Sequence, residues 1–408
     1  MKCRHCQQQL THCFLDLGFS PPSNDYLSAA ALQAPEKYFP LKVYVCDACW
    51  LVQTQDFSSS GELFREDYAY FSSVSKSWLA HAEDYAGMIA RRLGLTGDSF
   101  VVELASNDGY LLKNFVASGI PCLGIEPTQG TAEASEKLGV RVRQEFFGEA
   151  LGREIAQAER KADLIIGNNV YAHVPDINDF TRGMAALLAA EGTITLEFPH
   201  LQQLIANNQF DTVYHEHYSY LSLHAVAQIF EAADLRVYDV ETLSTHGGSL
   251  RVYGCHKAAS IAEQPQVGAI LRGEEAAGLC SLETYQAFQA KADKVKNDLL
   301  AFLIEQKRAG KKIAAYGAAA KGNTLLNYAG VRPDLLPFVC DAAPSKQGKY
   351  LPGNHIPVLP PERMNGANPD FILILPWNIA PEVTAQLRGA GIDTAKFVVA
   401  VPELKVLD

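Results

Sequence analysis

Between residues 100 and 200 the chain alternates short apolar runs with helical spacing. The runs are Phe100–Leu104, Pro121–Glu126, Ala162–Val170 and Thr193–Phe198. Runs this short and this continuously apolar are strands buried on both faces. The stretches between them, including a helix over Tyr110–Ser118, provide the crossovers that parallel strands require. The expected fold class is therefore α/β, with ligand-binding loops at the carboxyl ends of parallel strands.

The loop after the first strand narrows the choice of ligand. It reads Glu103-Leu-Ala105-Ser-Asn107-Asp108-Gly109. A dinucleotide fingerprint needs three spaced glycines, and only one is present, so a nicotinamide enzyme is weakly supported. S-adenosylmethionine has no pyrophosphate to seat. It needs an open loop above the first strand and an acid after the second to bridge the ribose diol. Glu103, Ala105, Asn107, Asp108, Gly109, Glu126 and, at the end of a later strand, Asn168 form the expected cofactor site, with Asn169 beside it facing substrate.

At 408 residues, two to three domains are expected. A formal charge of −11 argues against nonspecific nucleic-acid binding, which needs a basic surface. No apolar run is long enough to span a bilayer, and no leader is evident behind Met1, so the expected location is the cytoplasm.

Cys3-x-x-Cys6 and Cys46-x-x-Cys49 form two paired-cysteine turns. Such pairs each supply two corners of a tetrahedral zinc site. The gap, residues 7–45, exceeds the usual ribbon spacing of about 15–20, and an inserted loop containing Ser20–Asn24 and Pro35 is expected to fill it. Four thiolates leave no open position for water, so the zinc is expected to be structural.

A linker rich in hydroxyls and aromatics follows, with Tyr68, Tyr70 and Ser72 as candidates for sugar recognition. A helix is expected over Ser77–Leu93, capped from among the serines. Farther on, Tyr214-His215-Glu216-His217-Tyr218-Ser219-Tyr220 gathers two histidines, one carboxylate and three phenols. Imidazole takes a proton near neutral pH, and a phenol donates to a developing oxyanion. Neighbouring strand residues face opposite ways, so irregular backbone is expected where Glu216 and His217 both serve a site. Past it come a helix and two antiparallel strands, joined by Ser244–Ser249. There His246-Gly247-Gly248 is expected to be a hairpin turn, with close backbone approach to substrate as the alternative.

Residues 258–300 read as helix, bridging to a second α/β unit. There Tyr316-Gly-Ala-Ala-Ala-Lys321-Gly-Asn323 is strand, small-residue loop and helix start. Such a loop suits an anion, with Lys321 adding charge and Tyr316 and Asn323 flanking it.

In this order, the paired cysteines, the Tyr/Ser linker, the Glu103–Gly109 loop, Asn168-Asn169-Val-Tyr-Ala-His173-Val174 and Tyr214-His-Glu216-His217 resemble one family over essentially the whole chain. It is the C-3′-methyltransferases that act on nucleotide-linked deoxyketosugars. The resemblance implies a zinc-binding module (1–65), an S-adenosylmethionine domain of class I methyltransferase type (66–257) and a C-terminal Rossmann-like domain (258–408). It implies that a nucleotide-diphosphate ketosugar sits between the last two. By the same resemblance Tyr68, His173, Tyr214, Glu216 and His217 are active-site residues, with His217 as base and Glu216 as its neighbour. His215 receives no role. The partner expected is the small-molecule substrate, with neither nucleic acid nor membrane, in a monomer or small homo-oligomer. The rivals are an O- or N-methyltransferase and, more weakly, a zinc-ribbon binding protein without catalysis.

Overall fold

The computed structural model describes residues 1–57 and 72–407. Three sheets organise them. The central one contains β4 (Val101–Leu104), β5 (Cys122–Ile125), β6 (Arg141–Arg143), β7 (Ala162–Asn168), β8 (Leu188–Pro199), β10 (Leu235–Leu243) and β11 (Ser249–His256). Its order is β10-β11-β8-β7-β4-β5-β6. β4 through β8 pair in parallel, and β11 runs antiparallel between β8 and β10. β4 and β5 are buried throughout, as their apolar runs require. The strand order reverses beside β4, so a crevice opens at the carboxyl ends of β4 and β7. The helix Lys76–Leu93 covers this sheet. Ser75 caps it by accepting from Trp78 N, and left-handed Gly94 ends it.

The C-terminal sheet contains β12 (Ile313–Tyr316), β13 (Val339–Cys340), β14 (Val358–Leu359), β15 (Phe371–Ile374), β16 (Lys396–Val399) and β17 (Lys405–Leu407). The order β14-β13-β12-β15-β16-β17 reverses between β12 and β15. The loops after those two strands therefore border a second crevice.

The N-terminal sheet is antiparallel, in the order β1 (His12–Ser20), β2 (Phe39–Val45), β3 (Val52–Thr54), β9 (Ser219–Tyr220). Two of its strands lie in the stretch expected to be an inserted loop. β1 escapes sequence reading because register shifts between Cys13 and Leu15 and between Asp16 and Phe19 interrupt its alternation. The fourth strand comes from the histidine-rich segment: Val52 pairs with Tyr220 and Gln53 with Ser219. This module is thus built into the rest of the chain. Its Phe14 stacks on Phe288 at 4.8 Å, from the helix Phe288–Arg308 that leads into the C-terminal sheet. Leu27 bridges to Tyr350 on its far side.

Candidate active site

The four cysteine sulfurs lie within 4.8 Å of one another. The two pairs adopt one geometry. Gln7 N donates to Cys3 O (3.1 Å) and Trp50 N to Cys46 O (2.9 Å), with Gln7 and Trp50 both left-handed. Gln53 Nε2 donates to Cys3 Sγ (3.2 Å), while Arg4 N holds Gln53 Oε1 (2.8 Å). Four thiolates this close repel unless a cation sits among them; without one, the hydrogen bond from Cys49 lowers the Cys3 thiol and the same bond raises Cys49. The group fits tetrahedral zinc, which supplies a cross-link between the two turns.

At the crevice of the central sheet, the Glu103–Gly109 loop turns sharply, with Ala105, Asn107 and Gly109 all at positive φ. A Cβ on Gly109 would lie 2.6 Å from Ser135 Oγ. Glu126, after β5, accepts from Asn107 N and Thr128 N, each at 2.9 Å. Burial, with Glu126 and Asp108 adding repulsion, holds the Glu103 carboxyl well above the usual carboxylate range. Among the described residues, Glu103 Oε2, Asp108 Oδ1 and both side-chain polar atoms of Asn168 are buried without a hydrogen-bond partner. A ligand in the crevice would supply the partners these atoms lack. The Glu103 and Asp108 carboxyl groups fit the cationic amino-acid end of S-adenosylmethionine, and Glu126, just after β5, fits its ribose hydroxyls. Ser72, expected at the sugar, donates its backbone N–H to Asn107 Oδ1 (2.9 Å), at the Glu103–Gly109 loop.

The histidine-rich segment is irregular, as expected: His217 N closes a turn onto Tyr214 O at 2.9 Å. His217 Nδ1 lies 2.9 Å from Thr212 O. A carbonyl only accepts, so Nδ1 carries the proton and Nε2 keeps its lone pair. The His217 ring lies 3.9 Å from that of Tyr214 and 4.6 Å, edge-on, from that of His173. Burial, then repulsion from His173, His246 and Lys321, pushes His217 well below the usual histidine range, and the Thr212 carbonyl only partly opposes this. Burial also takes His173 down to about 4. Both imidazoles are neutral at pH 7.

Glu216 is buried, and both its oxygens accept from Asn24 Nδ2 at 2.9 Å. The group that sets the His217 tautomer is thus a main-chain carbonyl, while the adjacent carboxylate is held by the N-terminal module. His215 is buried with its ring edge toward Phe39, 5.9 Å away.

The crevice of the C-terminal sheet faces these groups. Lys321 Nζ donates to Asn378 Oδ1 (2.7 Å) and lies 4.7 Å from the Trp377 ring centre. Asn323 does not face the crevice: it is fully buried, accepting from Asn354 Nδ2 (2.9 Å). Tyr316 packs in the core beneath β12, its hydroxyl accepting from Gln386. On the opposite wall, Asn169 and His246 meet at 3.2 Å, both with left-handed backbone (φ 53° and 54°). Left-handed residues other than glycine each cost of order 1–3 kcal/mol, which marks a held corner between the two crevices.

Three family models match in succession: a zinc binding domain over residues 3–64, a methyltransferase domain over 79–240 and a C-methyltransferase C-terminal domain over 244–402. The C-methyltransferase NovU of Streptomyces niveus is 34% identical over 406 residues, covering 100% of this chain and 96% of that one. The chain belongs to the C-methyltransferase family. Solved structures similar to it include an S-adenosylmethionine-dependent methyltransferase from Anabaena variabilis (14% identity, TM-score 0.39, 49% of this chain and 96% of that one). Another is the magnesium protoporphyrin IX methyltransferase of Synechocystis with bound S-adenosylmethionine (12%, TM-score 0.33, 44% and 81%).

In this C-methyltransferase the structure brings His173, Tyr214, His217 and Lys321 to one site, with the cofactor loop beside Asn168 and Asn169. Tyr68 and Tyr70 lie outside the described residues. Sequence reasoning missed Asn24, Asp211 and Trp377. None sits in a motif, and their contacts span 192 positions for Asn24–Glu216 and 166 for Trp377–Asp211. His246, beside two glycines, was legible as a candidate substrate contact, with a plain hairpin turn as the favoured alternative.

Proposed function

We propose that this C-methyltransferase methylates C-3 of a nucleotide-linked 4-keto-deoxysugar, with His217 as the base. The observation that carries the reading is the His217–Thr212 hydrogen bond, which leaves Nε2 unprotonated in a buried site. A sugar carbon becomes nucleophilic only beside a ketone, where loss of the C-3 proton gives an enolate. His217 Nε2 takes that proton. Tyr214 and His173, against the His217 ring, are the neighbours that orient it and donate to the enolate oxygen. S-adenosylmethionine, held by Glu103, Asp108, Glu126 and Asn168, supplies the electrophilic methyl group. Lys321, in the facing crevice, takes the diphosphate, whose negative charge offsets the Lys321 repulsion that adds to burial in depressing His217. Water is kept out by the burial of the segment.

The test is a panel of nucleotide-linked 4-ketosugars in deuterated water, read by loss of the C-3 proton without cofactor and by methyl gain with it. The expected result is both, with His217→Asn losing exchange while still binding S-adenosylmethionine by calorimetry. Absence of exchange and methylation across the panel, or full exchange in His217→Asn, sinks the reading.

A further inference from the structure

Asp211 is fully buried, and the proposed reaction does not use it. It lies in the short turn Phe210–Thr212. The next residue, Thr212, supplies the carbonyl that holds His217 Nδ1 at 2.9 Å. Both neighbours of Thr212 are tied to the C-terminal domain. Asp211 Oδ2 accepts from Trp377 Nε1 at 2.7 Å, and Val213 O accepts from Thr324 Oγ1 at 3.0 Å. The carbonyl that orients the base is thus bracketed by two anchors in another domain.

The Trp377 anchor has a fitted seat. A Cβ on Gly247 would come within 2.6 Å of Trp377 Cη2, so only glycine admits the indole there. Gln209 Nε2 donates to Gly247 O at 2.7 Å, and Thr212 Oγ1 donates to Gln209 O at 2.7 Å, closing a loop of contacts around the turn. Lys321 Nζ lies over the same indole, 4.7 Å from its ring centre. The side chain that touches the candidate diphosphate site and the side chain that holds the His217 turn therefore meet on one indole.

We propose that Asp211 and Trp377 form a positioning pair through which the C-terminal domain fixes the tautomer and orientation of His217. This rests on His217 as the base. A carbonyl holds a histidine tautomer only while the carbonyl itself stays in place. The Asp211–Trp377 bond is a charge-assisted one that keeps it there.

The decisive variant is Trp377→Phe, which removes the N–H donor together with the outer ring edge seated on Gly247. Asp211→Leu, which keeps the whole indole and removes only the acceptor, is read beside it and is expected to lose the single tautomer likewise. Long-range proton–nitrogen correlation spectra of histidine-labelled protein, with His217 assigned through His217→Asn, read the tautomer without substrate. The parent is expected to show His217 protonated at Nδ1 alone, and Trp377→Phe to show both tautomers. C-3 exchange in the variant is expected to fall at least tenfold, with the Kd for S-adenosylmethionine within twofold of the parent. Asp211→Asn, which keeps an acceptor oxygen for the indole, is expected to retain more exchange than Trp377→Phe. A Trp377→Phe protein that folds and keeps the single Nδ1–H tautomer overturns the proposal. Because that readout needs no sugar, it separates failure of this pair from failure of the ketosugar reading.

Discussion

Asn24 Nδ2 stands 2.9 Å from each carboxylate oxygen of Glu216, joining the N-terminal module to the histidine-rich segment. Removing the donor leaves a buried carboxylate short of a partner, at a cost of about 1–3 kcal/mol. Asn24→Leu is expected to lower turnover about tenfold or more while leaving cofactor affinity within twofold. Steady-state kinetics beside a calorimetric titration checks this; unchanged turnover would detach Glu216 orientation from catalysis.

Metal removal should reach the active site through β9. The strand pairs Val52 and Gln53 with Tyr220 and Ser219, next to His217, and Gln53 also donates to Cys3 Sγ. One zinc per chain is expected by elemental analysis. Cys46→Ser should lose it, along with methyl transfer, whereas Cys13→Ser, outside the sulfur cluster, should keep it. A Cys46→Ser protein retaining metal and full turnover would contradict the coupling.

Cofactor binding should release a proton. Glu103 is held well above the usual carboxylate range by burial and by Glu126 and Asp108. A cationic ligand stabilises the charged carboxylate and lowers its pKa. Calorimetry near neutral pH in buffers of different ionisation enthalpy should show proton release into the buffer, and Glu103→Gln should abolish it. Proton uptake would show that Glu103 does not face the cofactor's charge.

Stability should fall on mild acidification. Burial takes His173, His215 and His246 each down to about 4, against about 6.5 in an unfolded chain. Between those values the unfolded state binds more protons, so the folded state loses stability as pH falls, on the order of 1 kcal/mol per pH unit for each group. The loss is complete only below the folded values. Thermal melts from pH 7 to 5 should show a steep drop in Tm that His215→Asn makes shallower. Parallel curves for the two proteins would remove His215 from this balance.

Much of the α/β framework was legible because buried parallel strands are short apolar runs. Val101–Leu104, Cys122–Ile125, Ile313–Tyr316 and Phe371–Ile374 are all such runs. The bridge expected as helix over residues 258–300 is helical only from Pro265 and in three pieces, Pro265–Ala276, Leu282–Gln286 and Phe288–Arg308. Its apolar spacing was legible, with Tyr285, Phe288, Ala292, Val295 and Leu299 buried and Phe302 partly so. The N-terminal sheet was not, since β1 is bulged and its last strand lies in a distant segment.

The sequence by itself determined the chemistry available. Two paired-cysteine turns select a soft cation, a one-glycine loop with spaced acids suits a cationic cofactor, and a cluster of histidines and tyrosines can move a proton. Only the tertiary structure decided how those groups are used. It turned Asn323 and Tyr316 into packing residues and gave Glu216 to Asn24. It also set the His217 proton on Nδ1, through the carbonyl of Thr212, whose neighbours Asp211 and Val213 accept from Trp377 and Thr324. The reason is range: residue type and spacing act over a few positions, whereas a buried group's partner is chosen by how three sheets pack, and no local pattern records that choice.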